Sequence, residues 1–361
     1  MKSNYKAIGE LVERIDERNR DGSITTLIGV SIDKKFIPSV ANVFGTDLTN
    51  YKVIRKYDFA VSLMQVSRDE KIPVACQKEY DAAIMSPAYP LFRVKDTNII
   101  MPEYLEMWFM RSEFDREASF VAVGGVRGSM PWEEFAKLKL PVPSIEEQRS
   151  IVKAYKVITD RIALKKQIND NLEAVAFAVL QEKIDASGTE STVDSLLTLF
   201  DYMRRPMSSL DRSGMERIYP YYGAASLMDY VDNYIFDGIY GLLGEDGTVM
   251  DDNGYPTMQY VWGKFWVNNH AHIFQGKNGY STEMVYLILK NTIVRDAVTG
   301  AVQLKINQEN LRKLPVMVPS DNDLPELNSM IDKIFASIRE NRDETEYLSN
   351  LRDILLAKMS D

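Results

Sequence analysis

The feature that most limits the folds open to this chain is an internal repeat. Laying Ser144 on Ser320, a shift of 176 residues, brings Gly124 onto Gly300, Leu138 onto Leu314, Val142 onto Val318 and Pro143 onto Pro319 without a gap. The same shift carries Ile151 onto Leu327, Ile158 onto Ile334, Ile162 onto Ile338, Leu172 onto Leu348 and Val179 onto Leu355. A register kept over about sixty positions marks a duplicated unit, so the chain reads as two copies of one architecture. A looser match opens each copy: "AIGELVERIDERN" resembles "TVDSLLTLFDYMR" at 192–204, with Leu11 opposite Leu196. Between these lead-ins and the prolines, the halves do not align. With 361 residues, two domains of ordinary size are expected in any case.

The matched part of each copy has the pattern of a long helix. Ser144 and Glu147 form an S-x-x-E capping box, in which the two side chains satisfy otherwise orphaned N–H groups at a helix start. Ser320 and Asp323 are a weaker version, and Asp323-Leu324-Pro325-Glu326 offers a competing start with proline in the first turn. Gly188 supplies a stop for the central helix. Apolar positions advance by four and three through Ile151, Tyr155, Ile158 and Ile162, turn polar at Lys165 and Asn169, and resume at Leu172, Ala176 and Val179. The second copy runs Leu327, Ile331, Ile334 and Ile338, then Asn341 and Thr345, then Leu348, Arg352 and Leu355. That is a coiled-coil seam interrupted by a polar layer, and two helices sharing the interruption can pair through it. A helix of about 40 residues extends about 60 Å, further than a domain of about 120 residues is wide. It therefore reads as a spacer rather than an element packed only on its own domain.

The divergent segments look mixed α+β with a twisted antiparallel sheet. "TTLIGVSI", "FAVSLMQV" and "YPLFRV" are short β-rich runs, and "PEYLEMWFMRSEF" and "TEMVYLILKNTI" read as one short helix in each half. The expected boundaries are a first domain at 1–143, a central helix at 144–187, a second domain at 188–319 and a C-terminal helix at 320–361.

Composition is that of a soluble globular protein, with 45% apolar and 26% charged residues. No apolar run approaches a bilayer span and the N-terminus is charged, so a cytoplasmic protein without membrane segments is expected. The single cysteine, Cys76, can build neither an internal disulfide nor a Cys-based metal site. A formal charge of −9 argues against a uniformly basic surface but leaves room for locally basic loops.

Few residues suggest catalysis. His270 and His272 would share one face of a strand, as a metal pair does, but with no other histidine and no nearby cysteine, packed strand histidines are the better reading and no metal is expected. Gly238, Gly241, Gly244 and Gly247 lack dinucleotide-loop spacing, and Asp246-Gly247 is a hairpin signal. "SPAYP" at 86–90 resembles the S/D/N-P-P-Y/F tetrapeptide of amino-methyltransferases, with Ala88 in place of the second proline and no glycine-rich cofactor loop before it. Basic, amide and tyrosine side chains among the aromatics are the candidates for nucleic-acid contact: Arg68, Lys71, Lys78, Arg93 and Arg127 in the first half, and Arg204, Arg205, Tyr221, Tyr222, Lys264, Asn268, Asn269 and Lys277 in the second.

The arrangement resembles the specificity subunit of type I restriction-modification enzymes, in which two variable target recognition domains alternate with two helical regions. The resemblance rests on "LKLPVPSIEEQRSIV" at 138–152, "YPYYGA" at 219–224, "NNHAHIF" at 268–274 and "TGAVQLKINQENLRKLPVMVPS" at 299–320. The second copy departs from it, with "DNDLPEL" where Glu-Gln is usual. The resemblance implies a non-catalytic subunit whose domains each read half of a split DNA target. It also implies that the helices pack antiparallel as a ruler and dock two modification subunits, alongside restriction subunits. S-adenosylmethionine, ATP and Mg would belong to those partners, with no cofactor in this chain. A self-contained DNA adenine methyltransferase and a coiled-coil adaptor unrelated to DNA are the competing readings.

Overall fold

The computed structural model describes residues 4–39, 45–64, 66–122, 128–300 and 303–360. The chain forms two compact units, one of residues 1–164 with 344–361 and one of residues 165–343.

In the first unit, strand Tyr5–Ala7 pairs with Lys139–Pro141, and a one-turn helix, Ile8–Leu11, leads into a four-stranded antiparallel sheet. Its order is Val12–Ile15, Leu91–Val94, Phe59–Val61, Val74–Cys76. Phe59 and Phe92 lie opposite each other and stack with ring centroids 5.1 Å apart. Phe109, Phe114 and Phe135 close over them from helices Pro102–Phe109, Ser112–Ala122 and Trp132–Lys137. Each buried aromatic ring contributes several kcal/mol, roughly 3–5 on truncation, so this cluster is the unit's core.

The second unit contains the same four strands in the same order: Leu197–Leu199, Ala271–Gly276, Phe236–Gly244, Met258–Val267. Tyr219–Tyr222 and Leu227–Val231 extend this sheet, and Tyr219–Tyr222 runs parallel to Met258–Val267. The sheet is therefore mixed rather than purely antiparallel. Where the first unit stacks Phe59 on Phe92, the second sets Gly241 against Phe274, and a Cβ on Gly241 would lie 2.0 Å from that ring. Ring on ring becomes ring on backbone, which hides the equivalence from the sequence. Asp246-Gly247 lies within the 245–257 connection and does not form a tight hairpin by itself, although Gly247 does adopt φ +79°.

Hydrogen bonds at the junctions extend the repeat into the lead-ins. Ile8 N–H donates to the Leu138 carbonyl at 2.8 Å, and Val193 N–H to the Leu314 carbonyl at 3.0 Å. Lys95 N–H donates to the Leu11 carbonyl, and Lys277 N–H to the Leu196 carbonyl. A carboxamide clasp also recurs. Gln148, fully buried, accepts from Met101 N–H at 2.9 Å and donates to the Ile99 and Pro143 carbonyls. Asn328 accepts from Ser281 N–H at 3.0 Å and donates to the Gly279 carbonyl at 2.6 Å. In both units one side chain of a long helix thus holds the N-cap and the carbonyl two residues before it, at the start of the equivalent short helices Pro102–Phe109 and Thr282–Lys290.

The long helices run Ile145–Ser187 and Leu324–Ala357. Ser144 and Glu147 make the capping box, with Ser144 N–H donating to Glu147 Oε2 at 2.9 Å and Glu147 N–H to Ser144 Oγ at 3.3 Å. The C-terminal helix takes the later start, with Pro325 in its first turn, and the Asp323 carboxylate accepts from Lys183 Nζ and Ser187 Oγ. The central helix ends at Ser187, and Gly188 follows at a position only glycine fits, since a Cβ there would lie 2.4 Å from the Ile184 carbonyl oxygen.

Within each unit the two helices run antiparallel. In the first, Ile151 and Tyr155 rest against the core that also takes in Leu356 and Met359, Ile162 is buried, and Arg161 pairs with Glu344. Ile158 and Leu348 are half-buried. In the second, Leu327, Ile331 and Ile338 are in the core, with Ile334 and Leu172 half-buried against it. The polar layer meets itself: Lys165 Nζ donates to Asn341 Oδ1 at 2.7 Å, and Asn341 Nδ2 to Asn169 Oδ1 at 2.8 Å. Lys165 and Asn341 are the same position in the two repeats. Toward the ends, half-buried Val179 and Leu355 give way to buried Leu180 and Leu356, because a straight helix drifts about 20° per heptad against a strict 3.5-residue spacing.

Gln148→Leu strands a backbone N–H and two carbonyls, and Asn328→Leu an N–H and one carbonyl. Each should cost about 1–3 kcal/mol in denaturant unfolding, and unchanged midpoints would show that the clasps contribute nothing.

Candidate nucleic-acid interface

The second unit presents tyrosines interleaved with basic side chains on its surface. The short turn Asp201–Met203 exposes Tyr202 by 81%. Arg205, just beyond, is exposed and anchored through its carbonyl, which accepts from Trp266 Nε1 at 2.6 Å. Tyr202, Met203, Arg205, Tyr234 and Ile235 line an open cleft of about 390 Å³. Lys264 stands exposed on strand Met258–Val267, its ammonium 4.6 Å from the Tyr234 ring centre, and Tyr219 lies 5.1 Å from Tyr234. Arg217 covers Tyr230 at 5.5 Å and pairs with Asp229. Aromatic rings beside exposed cations are what stacking on bases and binding of phosphates require.

Other candidates from the sequence point inward. Arg204 donates to Glu245 Oε2 at 2.5 Å and to the Ala271 and Asn269 carbonyls, so it is part of the interior wall. Tyr221 is 1% exposed, its hydroxyl bonded to the Met207 backbone and its ring covered by Arg212 at 4.6 Å. Asn268 is buried, its Oδ1 accepting from His270 N–H. Tyr222 is half-buried edge-on to Phe265, and Lys277 is half-buried at the end of the lead-in helix Val193–Leu196. Asn269 remains exposed.

The two histidines have separate partners. The strand begins at Ala271, after His270, whose Nδ1 meets Asp246 Oδ1 at 2.6 Å. His272 is fully buried, with Nδ1 2.6 Å from Asp201 Oδ2 and Nε2 2.8 Å from the Ile306 carbonyl. Both ring nitrogens of His272 therefore face an oxygen partner. Burial pushes the Asp201 carboxyl up, but hydrogen bonds from His272 and Ile273 N–H outweigh it and hold it below the usual range. Among the described residues, Asp201, Glu245 and His272 form a group with metal-ligand spacing. Its oxygens already accept from Ile273, Gln308, Arg204 and Lys305, so protein donors occupy the positions a metal would need.

In the first unit the candidates divide in the same way. Arg93 grips Asp58 with two bonds of 3.0 and 3.1 Å and is a strut of the sheet. Lys78 pairs with Glu106. Arg68 is exposed beside Asp69, and Lys71 is exposed. Arg127 lies outside the described residues. Sequence reasoning missed Lys56-Tyr57, where the exposed Tyr57 adopts φ +68° and Lys56 lies over its ring at 5.9 Å. A bulky residue at positive φ is a signal only once the backbone is known. "SPAYP" is the turn between strands Ala82–Met85 and Leu91–Val94, where the Tyr89 N–H donates to the Ser86 carbonyl and the Tyr89 carbonyl accepts from Lys52 Nζ. No helix among the described residues is long and apolar enough to cross a membrane.

Known proteins share this organisation. The model of the type I restriction modification DNA specificity domain matches the chain twice, over residues 46–174 and 195–347. A curated relative from Haemophilus influenzae strain Rd, named as a type I restriction enzyme specificity subunit, is 30% identical over 163 residues. That match covers 45% of this chain and 41% of the relative, so the chain spans about two-fifths of that relative's length. The crystal structure of a type I restriction-modification S subunit from M. genitalium is similar in fold, with a TM-score of 0.56 at 14% identity, covering 99% of this chain and 96% of that one. With a duplicated domain, paired helices and family matches across both halves, the chain belongs to the type I restriction-modification DNA specificity family.

Proposed function

We propose that this chain is the DNA sequence-recognition subunit of a type I restriction-modification complex. Each domain reads one half of a split, asymmetric target, and the helices set the distance between the halves. The observation that carries this reading is one scaffold used twice: the same four-stranded sheet, lead-in helix and carboxamide clasp recur beneath different exposed side chains. A scaffold held constant under a varying surface suits two readers of unlike half-sites. Exposed Tyr202, Arg205 and Lys264, with half-buried Tyr234 in the cleft between them, are the contact residues of the second domain, and Lys56, Tyr57, Arg68 and Lys71 those of the first.

In this reading the chain binds and orients DNA and is not itself an enzyme. Methyl transfer from S-adenosylmethionine and ATP- and Mg-dependent cleavage fall to modification and restriction subunits, with two modification subunits docked on the helices and nearby surfaces. The charge of −9 is compatible with this, because basic groups are local and the DNA channel would be shared with those subunits.

Exchanging residues 1–143 for another recognition domain should alter one half of the methylated motif and leave the other half intact, as read by methylome sequencing of a host that carries the modification subunit. Deleting one heptad from both helices should shorten the spacer by about 3 base pairs, since seven residues rise about 10 Å, and an unchanged spacer would refute the ruler. Lys264→Ala should weaken DNA binding and lower its salt slope by about one unit, measured by anisotropy across a salt series.

A further inference from the structure

We propose that Asp201 and Arg204 are positioning residues, anchored on buried His272, that hold Tyr202 and Arg205 at the DNA-reading face of the second domain. The inference rests on the recognition function proposed above and adds which buried groups shape that face.

Tyr202 sits on a single 3₁₀ turn, Asp201–Met203, in a stretch with no regular structure on its C-terminal side before Ser209. So short a turn has little stability of its own, and an aromatic ring 81% exposed gains little from packing. Two inward side chains supply the restraint. Asp201 Oδ1 accepts from Ile273 N–H at 2.9 Å, and Oδ2 accepts from His272 Nδ1 and Gln308 Nε2, each at 2.6 Å. Arg204 Nε donates back to the Asp201 carbonyl at 3.1 Å, while its terminal nitrogen donates to Glu245 Oε2 and the Ala271 carbonyl. With three residues per turn, positions three apart share a side, so Asp201 and Arg204 face the interior while Tyr202 and Arg205 face out. The strap thereby orders the two exposed residues before any DNA arrives, which lowers the entropy lost on binding.

The anchor is electrostatically complete. Asp201 and Glu245 are faced by Arg204 and Lys305, two cations for two carboxylates, with the His272 ring packed against both acids. Lys305 reaches Glu245 Oε1 at 3.1 Å and closes the group from the strand Lys305–Ile306, whose Ile306 carbonyl lies 2.8 Å from His272 Nε2.

The test is selection from a randomised duplex library by the full chain with its modification subunit, comparing wild type with Tyr202→Ala, Asp201→Ala and the double variant. The expected result is a bipartite motif for wild type. Base preference should fall about tenfold at positions in one block only for Tyr202→Ala, with a similar loss in the same block for Asp201→Ala. The double variant should lose no more than the single variants, because removing the strap and removing what it holds are one loss. Loss in both blocks, additive losses, or a folded Asp201→Ala with wild-type preferences would overturn the positioning role. A wild-type library with no enriched motif would overturn the recognition function and this proposal together. Amide exchange on the unmodified chain gives an answer that needs no variant to fold: Met203 and Arg204 N–H should be protected, and exchange at the rate of an open loop would overturn the strap.

Discussion

A carboxamide, buried at Gln148 and half-buried at Asn328, ties each long helix to its domain at the start of the short helix behind the sheet. Gln148 and Asn328 each accept an N–H and donate to a carbonyl two residues earlier, a pairing that an amide side chain can make and an apolar or purely acidic one cannot. The groups they satisfy lie at the start of the short helix behind the sheet, where unpaired backbone would be costly. Because the C-terminal helix begins at Leu324, its clasp falls at 328 rather than at 324, the position that matches Gln148 by the repeat. The missing Glu-Gln of the second copy is thus replaced in function by an asparagine one turn further on.

A second constraint sorts the cations. Arg93 and Arg204 are matched to Asp58 and Glu245, and arginine suits such work because its planar fork serves several acceptors at once. Lys264, Arg205 and Lys71 are exposed instead. A net acidic chain can present basic contact surfaces in this way, with carboxylates engaging the cations that would otherwise have to be desolvated alone. Neighbours differ completely: Arg204 is structural and Arg205 is exposed, though nothing in the sequence separates them.

Local physics explains which expectations were legible. The capping box at Ser144 depends on side chains three residues apart, and the seam of Leu327, Ile331 and Ile338 on helical periodicity, so both could be read along the chain. The polar layer was legible as a pattern, and its pairing of Lys165 with Asn341 follows from antiparallel helices in one register. The common sheet was not legible, because strand pairing joins residues far apart, and Phe59 facing Phe92 shares no side chain with Gly241 facing Phe274. The parallel pairing of Tyr219–Tyr222 with Met258–Val267 was hidden for the same reason.

The sequence by itself determined that there are two copies, that each ends in a long helix, and where those helices carry their apolar and polar positions, because duplication, capping and period are properties of neighbouring residues. Only the tertiary structure decided which side chains face outward. Tyr221 and Asn268 turn into the core while Tyr202 stays outside and Tyr234 lines an open cleft, since burial depends on which strands meet, and that is settled by contacts across the whole domain.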